Sequence, residues 1–257
     1  MVYEFTRAFD FSCHTWAMKT LTAAQPLPKF LQISELLSRQ IRAGHFRPGE
    51  RLPTEAELAQ SLQVAVGTLR KALEVLQQQG VLERIQGSGT YVRNTGTGKS
   101  IYEFFRLELH DGPGMPSAHI LSVDKLKTPA DISSFGLASK QSSAWRIRRL
   151  RLLNQTPVAL EEIWLDAKRS QQLKADELGE SMYLFYQQNF DLWISRVDDH
   201  IYTQTVPDWT VNAFGLRAKK IAGYIERLSW TANNELAEFS KTWFNPQVCR
   251  YSSRISH

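Results

Sequence analysis

An arginine-bearing segment in the second half of the chain has the pattern of a strand that binds an anion. Residues 145–153 alternate, which places Arg149 and Arg151 on one face of an extended strand. The other residues of that face are apolar: Trp145, Ile147 and Leu153. A guanidinium group withdrawn from water needs an anion, and its planar fork matches a carboxylate or a phosphate. The pattern therefore predicts a site for a small polar anion.

The same pattern has a structural alternative. Either arginine of that face could pair with Glu161 or Glu162, which follow in the next predicted strand, and no ligand would then bind. Arg146 and Arg148 fall on the opposite face, where we expect them to be solvated or to lie in an interface.

Signatures of catalysis and metal binding are missing from the sequence. No HExxH, CxxC, GxSxG or Walker pattern occurs, and the six histidines are scattered without metal-ligand spacing. The run Asp198-Asp199-His200 is interpreted as polar surface sequence rather than a metal site. The sequence therefore predicts no enzyme, no cofactor and no metal.

Length and composition favour a two-domain protein of a reducing compartment. The chain has 257 residues, which is more than one domain usually holds. Two cysteines give no disulfide framework, no apolar run is long enough to span a bilayer, and no secretory signal opens the chain. We therefore expect a cytoplasmic protein without a membrane partner. The net charge of +5 permits nucleic-acid binding, and residues 26–95 hold nine Lys or Arg against six Asp or Glu, a net charge of +3.

Residues 28–93 have the order of a winged helix-turn-helix. The first helix is predicted from an apolar stripe at helical spacing: Phe30, Ile33, Leu37 and Ile41. Thr54 and Glu57 have the spacing of a capping box and open a second, short helix. After a short turn, a third helix covers about 65–79, and a hairpin turning at 86–89 follows.

The segments that flank this unit carry little periodicity. Residues 1–25 are predicted to be an N-terminal extension, for which either Met18 is the true start or residues 1–25 form a mobile arm. The alternative is an added helix or strand that packs on the body. The winged helix is assigned to 26–93, and 94–100 is a linker because it is rich in Gly, Thr, Ser and Asn.

Residues 101–257 alternate between strands and short helices. Strands are predicted at 102–109, 118–126 and 194–206, hairpins at 145–166 and 223–245, and helices at 182–190 and 208–216. This mixture predicts an α+β domain on an antiparallel sheet.

Two sets of short motifs carry a resemblance to known proteins. The first set is Pro48-Gly49, Leu52-Pro53, Glu57-Leu58-Ala59, Thr68-Leu69-Arg70, Ala72-Leu73, Leu76, Gly80 and Gly87-Ser88-Gly89-Thr90. It closely resembles the DNA-binding domain of the GntR family. The second set is Arg149-Leu150-Arg151, Pro157-Val158-Ala159-Leu160-Glu161, Ile225-Glu226-Arg227 and Ala237-Glu238-Phe239-Ser240. It looks like the UTRA domain of the HutC subfamily, whose fold is similar to that of chorismate lyase and whose members bind small metabolites rather than transform them.

The GntR resemblance implies that the third helix enters the major groove and that the wing tip reaches the minor groove. The implied DNA contacts are Thr54, Ala65, Val66, Gly67, Thr68, Arg70, Lys71, Gln86 and Gly87. Many relatives carry Ser/Thr-Arg where this chain has Ala65-Val66, and often Arg where it has Ala56. We therefore expect a different operator rather than a loss of binding. The alternative role of Arg70 is a surface ion pair with Glu74.

The UTRA resemblance implies an effector site. The implied contacts are Ser100, Tyr102, Arg149, Arg151, Glu161, Glu238 and Phe244. The implied ligand is a sugar phosphate, an amino-acid derivative or another carboxylate. The family pattern further implies a homodimer that reads a palindromic operator in double-stranded DNA and a repressor that the effector releases. Two alternatives stay open: a second domain that only dimerises, and, less favoured, a lyase-like enzyme fused to a DNA-binding domain.

Overall fold

The computed structural model describes residues 22–93 and 100–254 and shows an N-terminal helical domain and a C-terminal domain on one large sheet. Strand β1 (Thr22–Ala23) comes first and belongs to the large sheet. The helical domain consists of α1 (Lys29–Arg42), α2 (Glu55–Ser61) and α3 (Val66–Gln78), followed by strands β2 (Leu82–Ile85) and β3 (Gly89–Val92). Strands β2 and β3 form the antiparallel wing.

Local signals in the sequence produce the helical domain. Ile33 and Leu37 of the predicted stripe are buried, and they share one core with Leu69 and Leu76 of α3. Burial of these apolar side chains is the main force that holds α1 against α3. The predicted winged helix-turn-helix is confirmed.

The turn residues of this domain adopt the conformations that the motif requires. Thr54 caps α2: its Oγ1 accepts a hydrogen bond from the Glu57 backbone N–H at 3.3 Å, and the Glu57 carboxylate accepts one from the Thr54 N–H at 2.9 Å. The predicted capping box is thus confirmed. Gln63 takes a positive φ of 53° between α2 and α3, and Gly87 takes 74° at the wing tip.

The second domain is an α+β domain, as the sequence predicts. Its strands are β4 (Leu107–Leu109), β5 (Pro116–Lys127), β6 (Ser143–Leu153), β7 (Thr156–Asp166), β8 (Ile194–Thr205), β9 (Ile221–Thr231), β10 (Leu236–Phe244) and β11 (Cys249–Tyr251), and its helices are α4 (Ala130–Ser134) and α5 (Met182–Phe190). Seven strands form one antiparallel sheet in the order β1-β5-β6-β7-β10-β9-β8, while β4 pairs with β11. Among the described residues, no helix is long and apolar enough to cross a membrane.

Both faces of the large sheet carry an apolar cluster. On one face, Phe185 and Tyr186 of α5 pack with Ile147 and Ile163. On the other face, a separate cluster is built around Leu150, Leu160, Phe214, Tyr224 and Trp243. Arg149 and Arg151 point to the α5 face, so the alternation predicted for β6 is confirmed.

Two segments of the second domain differ from their predicted structure. Only Leu107–Leu109 of the predicted strand 102–109 is extended. The residues before it form turns, in which the Glu103 N–H donates to the Ser100 carbonyl oxygen at 3.0 Å and the Phe105 N–H donates to that of Tyr102 at 2.9 Å. The helix predicted at 208–216 is a single 3₁₀ turn at Asn212–Phe214.

The predicted N-terminal extension is wrong at its C-terminal end. Thr22 and Ala23 pair with Ile120 and His119 of β5, and Ala24 is buried against the sheet. The chain therefore enters the large sheet before it enters the helical domain. Residues 1–21, which include Met18, and 94–99 of the predicted linker lie outside the described residues.

Candidate functional site

The start of α3 is an exposed surface that gathers most of the predicted DNA contacts. Ala65 is the N-cap, and its side chain makes no hydrogen bond to the first turn, so the free N–H groups there are available to an acceptor on another molecule. A Cβ on Gly67 would meet no atom within 4 Å, so the fold itself does not require glycine there. The other residues of this surface are Val66, Thr68, Arg70 and Lys71.

A groove separates the start of α2 from the wing. It brings Thr54 together with Gln86 and Gly87, and it is also lined by Arg51 and Arg84. The sequence prediction missed these two arginines, because only the folded wing shows that they face the same groove. A duplex that contacts the α3 surface and the wing would meet both of them.

Glu55 of α2 forms ion pairs with two arginines of this surface. The Arg70 guanidinium lies 2.9 Å from the Glu55 carboxylate, and that of Arg84 lies 3.5 Å from it. Arg70 thus forms the ion pair that was the alternative prediction, but with Glu55 and not with Glu74. The Arg70 side chain is 53% exposed. Exposed ion pairs contribute little in water, so a phosphate can replace the carboxylate.

The α5 face of the large sheet holds a cavity, here called the central cavity. The neighbouring strands β6, β7, β10 and β9 form its floor, and the start of α5 and the segment 101–107 form its walls. Five predicted effector residues line it: Tyr102, Arg149, Arg151, Glu161 and Glu238.

Arg149 and Glu161 form an ion pair on the cavity floor. They lie opposite each other on β6 and β7, and the Arg149 Nε donates to the Glu161 carboxylate at 2.8 Å. Burial raises the pKa of Glu161, but Arg149 and Arg151 outweigh it and hold the pKa below its ordinary value, so Glu161 is ionised at neutral pH. This part of the structural network predicted as an alternative is therefore present.

The Arg151 guanidinium, unlike that of Arg149, has no ion pair among the described residues. Arg151 is 3% exposed, and its Nη1 donates to the Glu180 backbone carbonyl oxygen at 3.0 Å. Its Nε is buried and has no hydrogen-bond partner, and no carboxylate lies within 4 Å of its nitrogens, among the residues that the structure describes. A buried donor left unpaired is costly, and a buried charge more so. The arrangement can therefore bind an anion from outside.

Sequence reasoning missed several polar residues of the cavity. Arg227 of β9 lies opposite Ser240 of β10, and its guanidinium is held by Asp199 of β8 at 2.6 and 2.7 Å. Thr242 and Tyr183 complete this polar set. Alternation in the predicted β9–β10 hairpin places Arg227, Ser240 and Thr242 on one face, but only the sheet order shows that this hairpin adjoins β7.

Glu238 is a buried carboxyl group beside these cations. Tyr186 donates a hydrogen bond to it at 2.6 Å, and Ser229 donates one at 3.5 Å. Burial raises the pKa of Glu238 to about 7, with Glu161 acting in the same direction. The group is therefore neutral in weakly acidic solution and gains a negative charge as the pH rises.

Replacing Glu238 with Gln is expected to remove a pH dependence of stability. Because the folded pKa of about 7 exceeds the ordinary value of 4.5, Glu238 stabilises the fold below about pH 4.5, and this contribution is lost as the pH rises through about 7. Glutamine still accepts from Tyr186 and does not titrate. The melting temperature of Glu238→Gln minus that of wild type should be smallest at about pH 5 and largest at about pH 8. A difference that does not change with pH would contradict this role of Glu238.

Two predicted effector residues lie outside the central cavity. Ser100 is buried between the domains, where its Oγ donates to Glu35 and accepts from Arg42 at 3.0 Å. Phe244 shares the face of Glu238 but lies beyond the cavity, with its ring over Gly223, where a side chain would clash with it. Because Gly223 has no side chain, the Phe244 ring fits into the apolar core at that position, and the structure therefore places neither Ser100 nor Phe244 in the central cavity.

Comparison with known families places both domains. Residues 29–92 match the model of the bacterial regulatory proteins of the gntR family, and residues 113–249 match the UTRA domain. The chain is 44% identical over 229 residues to the HTH-type transcriptional regulator SmoD of Agrobacterium fabrum, covering 89% of this chain and 97% of that protein. The chain belongs to the GntR family. It is a ligand-responsive, DNA-binding transcription regulator whose C-terminal part is a UTRA domain.

More distant relatives and solved structures agree with this assignment. The mannosyl-D-glycerate transport/metabolism system repressor MngR of Escherichia coli is 28% identical over 88% of this chain and 95% of its own length. The repressor NagR of Bacillus subtilis is 24% identical over 90% and 97%. The crystal structure of YydK from Bacillus subtilis, which is titled a possible transcriptional regulator, has the same fold, with a TM-score of 0.53 at 19% identity, covering 90% of this chain and all of that one.

Proposed function

We propose that this regulator is a cytoplasmic repressor of the HutC subfamily that binds a palindromic operator as a homodimer and is released by a small anionic metabolite. Repression is supported by the relatives MngR and NagR, both of which are named repressors. One winged helix contacts few base pairs, so specific binding calls for two half-sites and a two-fold dimer. The proposal includes no catalytic step.

The observation that carries the effector part of the proposal is the Arg151 guanidinium. It is a buried cation with an unpaired Nε on the floor of the central cavity. A domain that only dimerises has no need of such a group, since replacing an unpaired buried charge with an apolar side chain would stabilise it. A carboxylate or a phosphate would supply the missing acceptor.

The rest of the cavity indicates the class of effector. Ser240, Thr242 and Tyr183 offer hydroxyl groups, and the ionised Glu161 accepts hydrogen bonds from hydroxyl or amino groups of a ligand. Polar groups of this kind fit a hydroxylated molecule with one anionic end. We propose a sugar phosphate, a sugar acid or a related amino-acid derivative or carboxylate.

A thermal-shift panel tests the effector proposal. The panel pairs each sugar phosphate or carboxylate with its uncharged parent, for example glucose 6-phosphate with glucose and gluconate with glucose. A ligand that binds the folded state raises the melting temperature. We expect at least one anion to raise it while its uncharged parent does not. Equal shifts from every anion and its parent would contradict the proposal.

Selection of bound duplexes from fragmented genomic DNA tests the operator proposal. We expect enriched fragments to share an inverted repeat, and the mass of the complex to correspond to two chains on one duplex. A single half-site bound by one chain would contradict the dimer. Since Ala56, Ala65 and Val66 are exposed on the DNA-facing side of the helical domain, we expect the repeat to differ from the common family operator.

A further inference from the structure

Helix α1 of the DNA-binding domain is fastened to the effector domain by a buried arginine. Arg39 is 4% exposed, and its guanidinium donates to four backbone carbonyl oxygens. These belong to Phe105 at 3.2 Å, Leu107 at 2.8 Å, Pro113 at 2.5 Å and Gly114 at 2.9 Å. Hydrogen bonds from a charged donor are stronger than those between neutral groups, so Arg39 binds α1 strongly to the backbone of residues 105–114.

A second buried contact lies one turn away on α1. The Glu35 carboxylate accepts hydrogen bonds from Ser100 and from the Ile101 backbone N–H at 3.2 Å, and Arg42 donates to Ser100 at 3.0 Å. Glu35 is 1% exposed. Together with Arg39, these contacts fix α1 to residues 100–107, here called the bridging segment.

The bridging segment is also a wall of the central cavity. Ile101, Tyr102, Phe104, Phe105 and Leu107 line the cavity, while the Phe105 and Leu107 carbonyl oxygens bind Arg39. The same short piece of chain thus faces the ligand site with its side chains and holds α1 with its backbone.

The Phe105 ring lies between helix α1 and the central cavity. The Arg39 guanidinium carbon lies 5.2 Å from its centroid, and the Arg151 guanidinium carbon lies 4.8 Å from it. Both distances are within the range of cation–π attraction. One ring therefore contacts the arginine of α1 and the cavity arginine whose Nε lacks a partner.

We propose that Phe105 is a positioning residue that couples the state of Arg151 to the position of helix α1. An anion bound to Arg151 competes with the ring for the guanidinium group, and any movement of Phe105 displaces the carbonyl oxygen that holds Arg39. Because α1 packs on the recognition helix α3, a displacement of α1 changes the orientation of the surface that contacts DNA. The inference rests on the proposed function only in that an anionic ligand is taken to change the state of Arg151.

Hydrogen exchange of the unliganded full chain tests this coupling without a ligand or DNA. We expect Arg151→Met to speed amide exchange in peptides from Lys29–Arg42 by about threefold or more, because the cavity side of the Phe105 ring loses its cation. In a Phe105→Leu background, the same Arg151 substitution should cause no further change in α1. This loss of effect separates coupling through the ring from general loosening.

Arg148→Met is the matched control. Arg148 precedes Arg149 on β6, but its side chain lies on the opposite face, where it stacks on Trp209 and pairs with Glu162 at 2.8 Å. This substitution should leave α1 exchange unchanged. If Arg151→Met does not fold, Arg151→Gln, which removes the charge but keeps a polar side chain, takes its place. An Arg151 effect on α1 no larger than that of Arg148→Met, or one equal with and without Phe105, would overturn the proposal. Failure of the anion panel alone would overturn the proposed effector class and leave this coupling intact.

Discussion

Replacing Arg151 with Met is expected to weaken binding of the anionic effector by about thirtyfold or more. The anion loses its charged donor in a buried site, where few waters can replace it, and Arg149 cannot compensate because Glu161 already holds it. Isothermal titration with the anion that gives the largest thermal shift measures the effect. Arg148→Met, on the opposite face of the same strand, is the matched control and should bind as wild type does.

The same substitution should not destabilise the unliganded protein. The Arg151 guanidinium has no carboxylate partner within 4 Å in the described part of the chain, so its burial is a cost that Met removes. An unchanged or raised melting temperature together with lost anion binding would identify Arg151 as a residue kept for binding. Anion affinity within about threefold of wild type would contradict its assignment to the site.

Replacing Arg70 with Ala is expected to weaken operator binding by about tenfold and, if Arg70 contacts a phosphate, to lower the salt slope of the binding constant by about one. The structure ties Arg70 to Glu55 at the exposed start of the DNA surface. A phosphate there replaces the carboxylate as partner. Titrations of labelled operator at several salt concentrations measure both quantities.

Two further variants distinguish a contact made by Arg70 from an effect of overall charge. Glu55→Gln removes a negative charge that holds Arg70 and Arg84, so it should strengthen binding to DNA of any sequence. Arg93→Ala removes a similarly exposed arginine at the end of β3 away from the wing tip, and it should leave affinity nearly unchanged. Equal losses of operator affinity in Arg70→Ala and Arg93→Ala would contradict a specific contact by Arg70, because they would show that only the overall charge affects binding.

The sequence predicts those parts of the fold that local signals determine. The capping box at Thr54, the apolar stripe of α1 and the hairpin at 145–166 each depend on residues that are close in sequence. The alternation of β6 likewise predicts that Arg149 and Arg151 share a face, because it needs only the pleat of one strand. These features carry over into the structure unchanged.

The remaining features depend on contacts between distant segments. The strand predicted at 102–109 is shortened because residues 100–105 form turns, and the Phe105 carbonyl oxygen accepts a hydrogen bond from Arg39 of the distant helix α1. Arg227 enters the cavity because β10 inserts between β7 and β9, which no local pattern reveals. Ser100 is the last residue of the predicted linker, yet contacts with α1 bury it.

The most direct test of the account is the affinity of the full-length protein for its selected operator, measured with and without the anion that gives the largest thermal shift. The account predicts that saturating anion weakens operator binding by about tenfold or more, and that by linkage the operator weakens anion binding by the same factor. Operator affinity that stays the same when the cavity is saturated would contradict it.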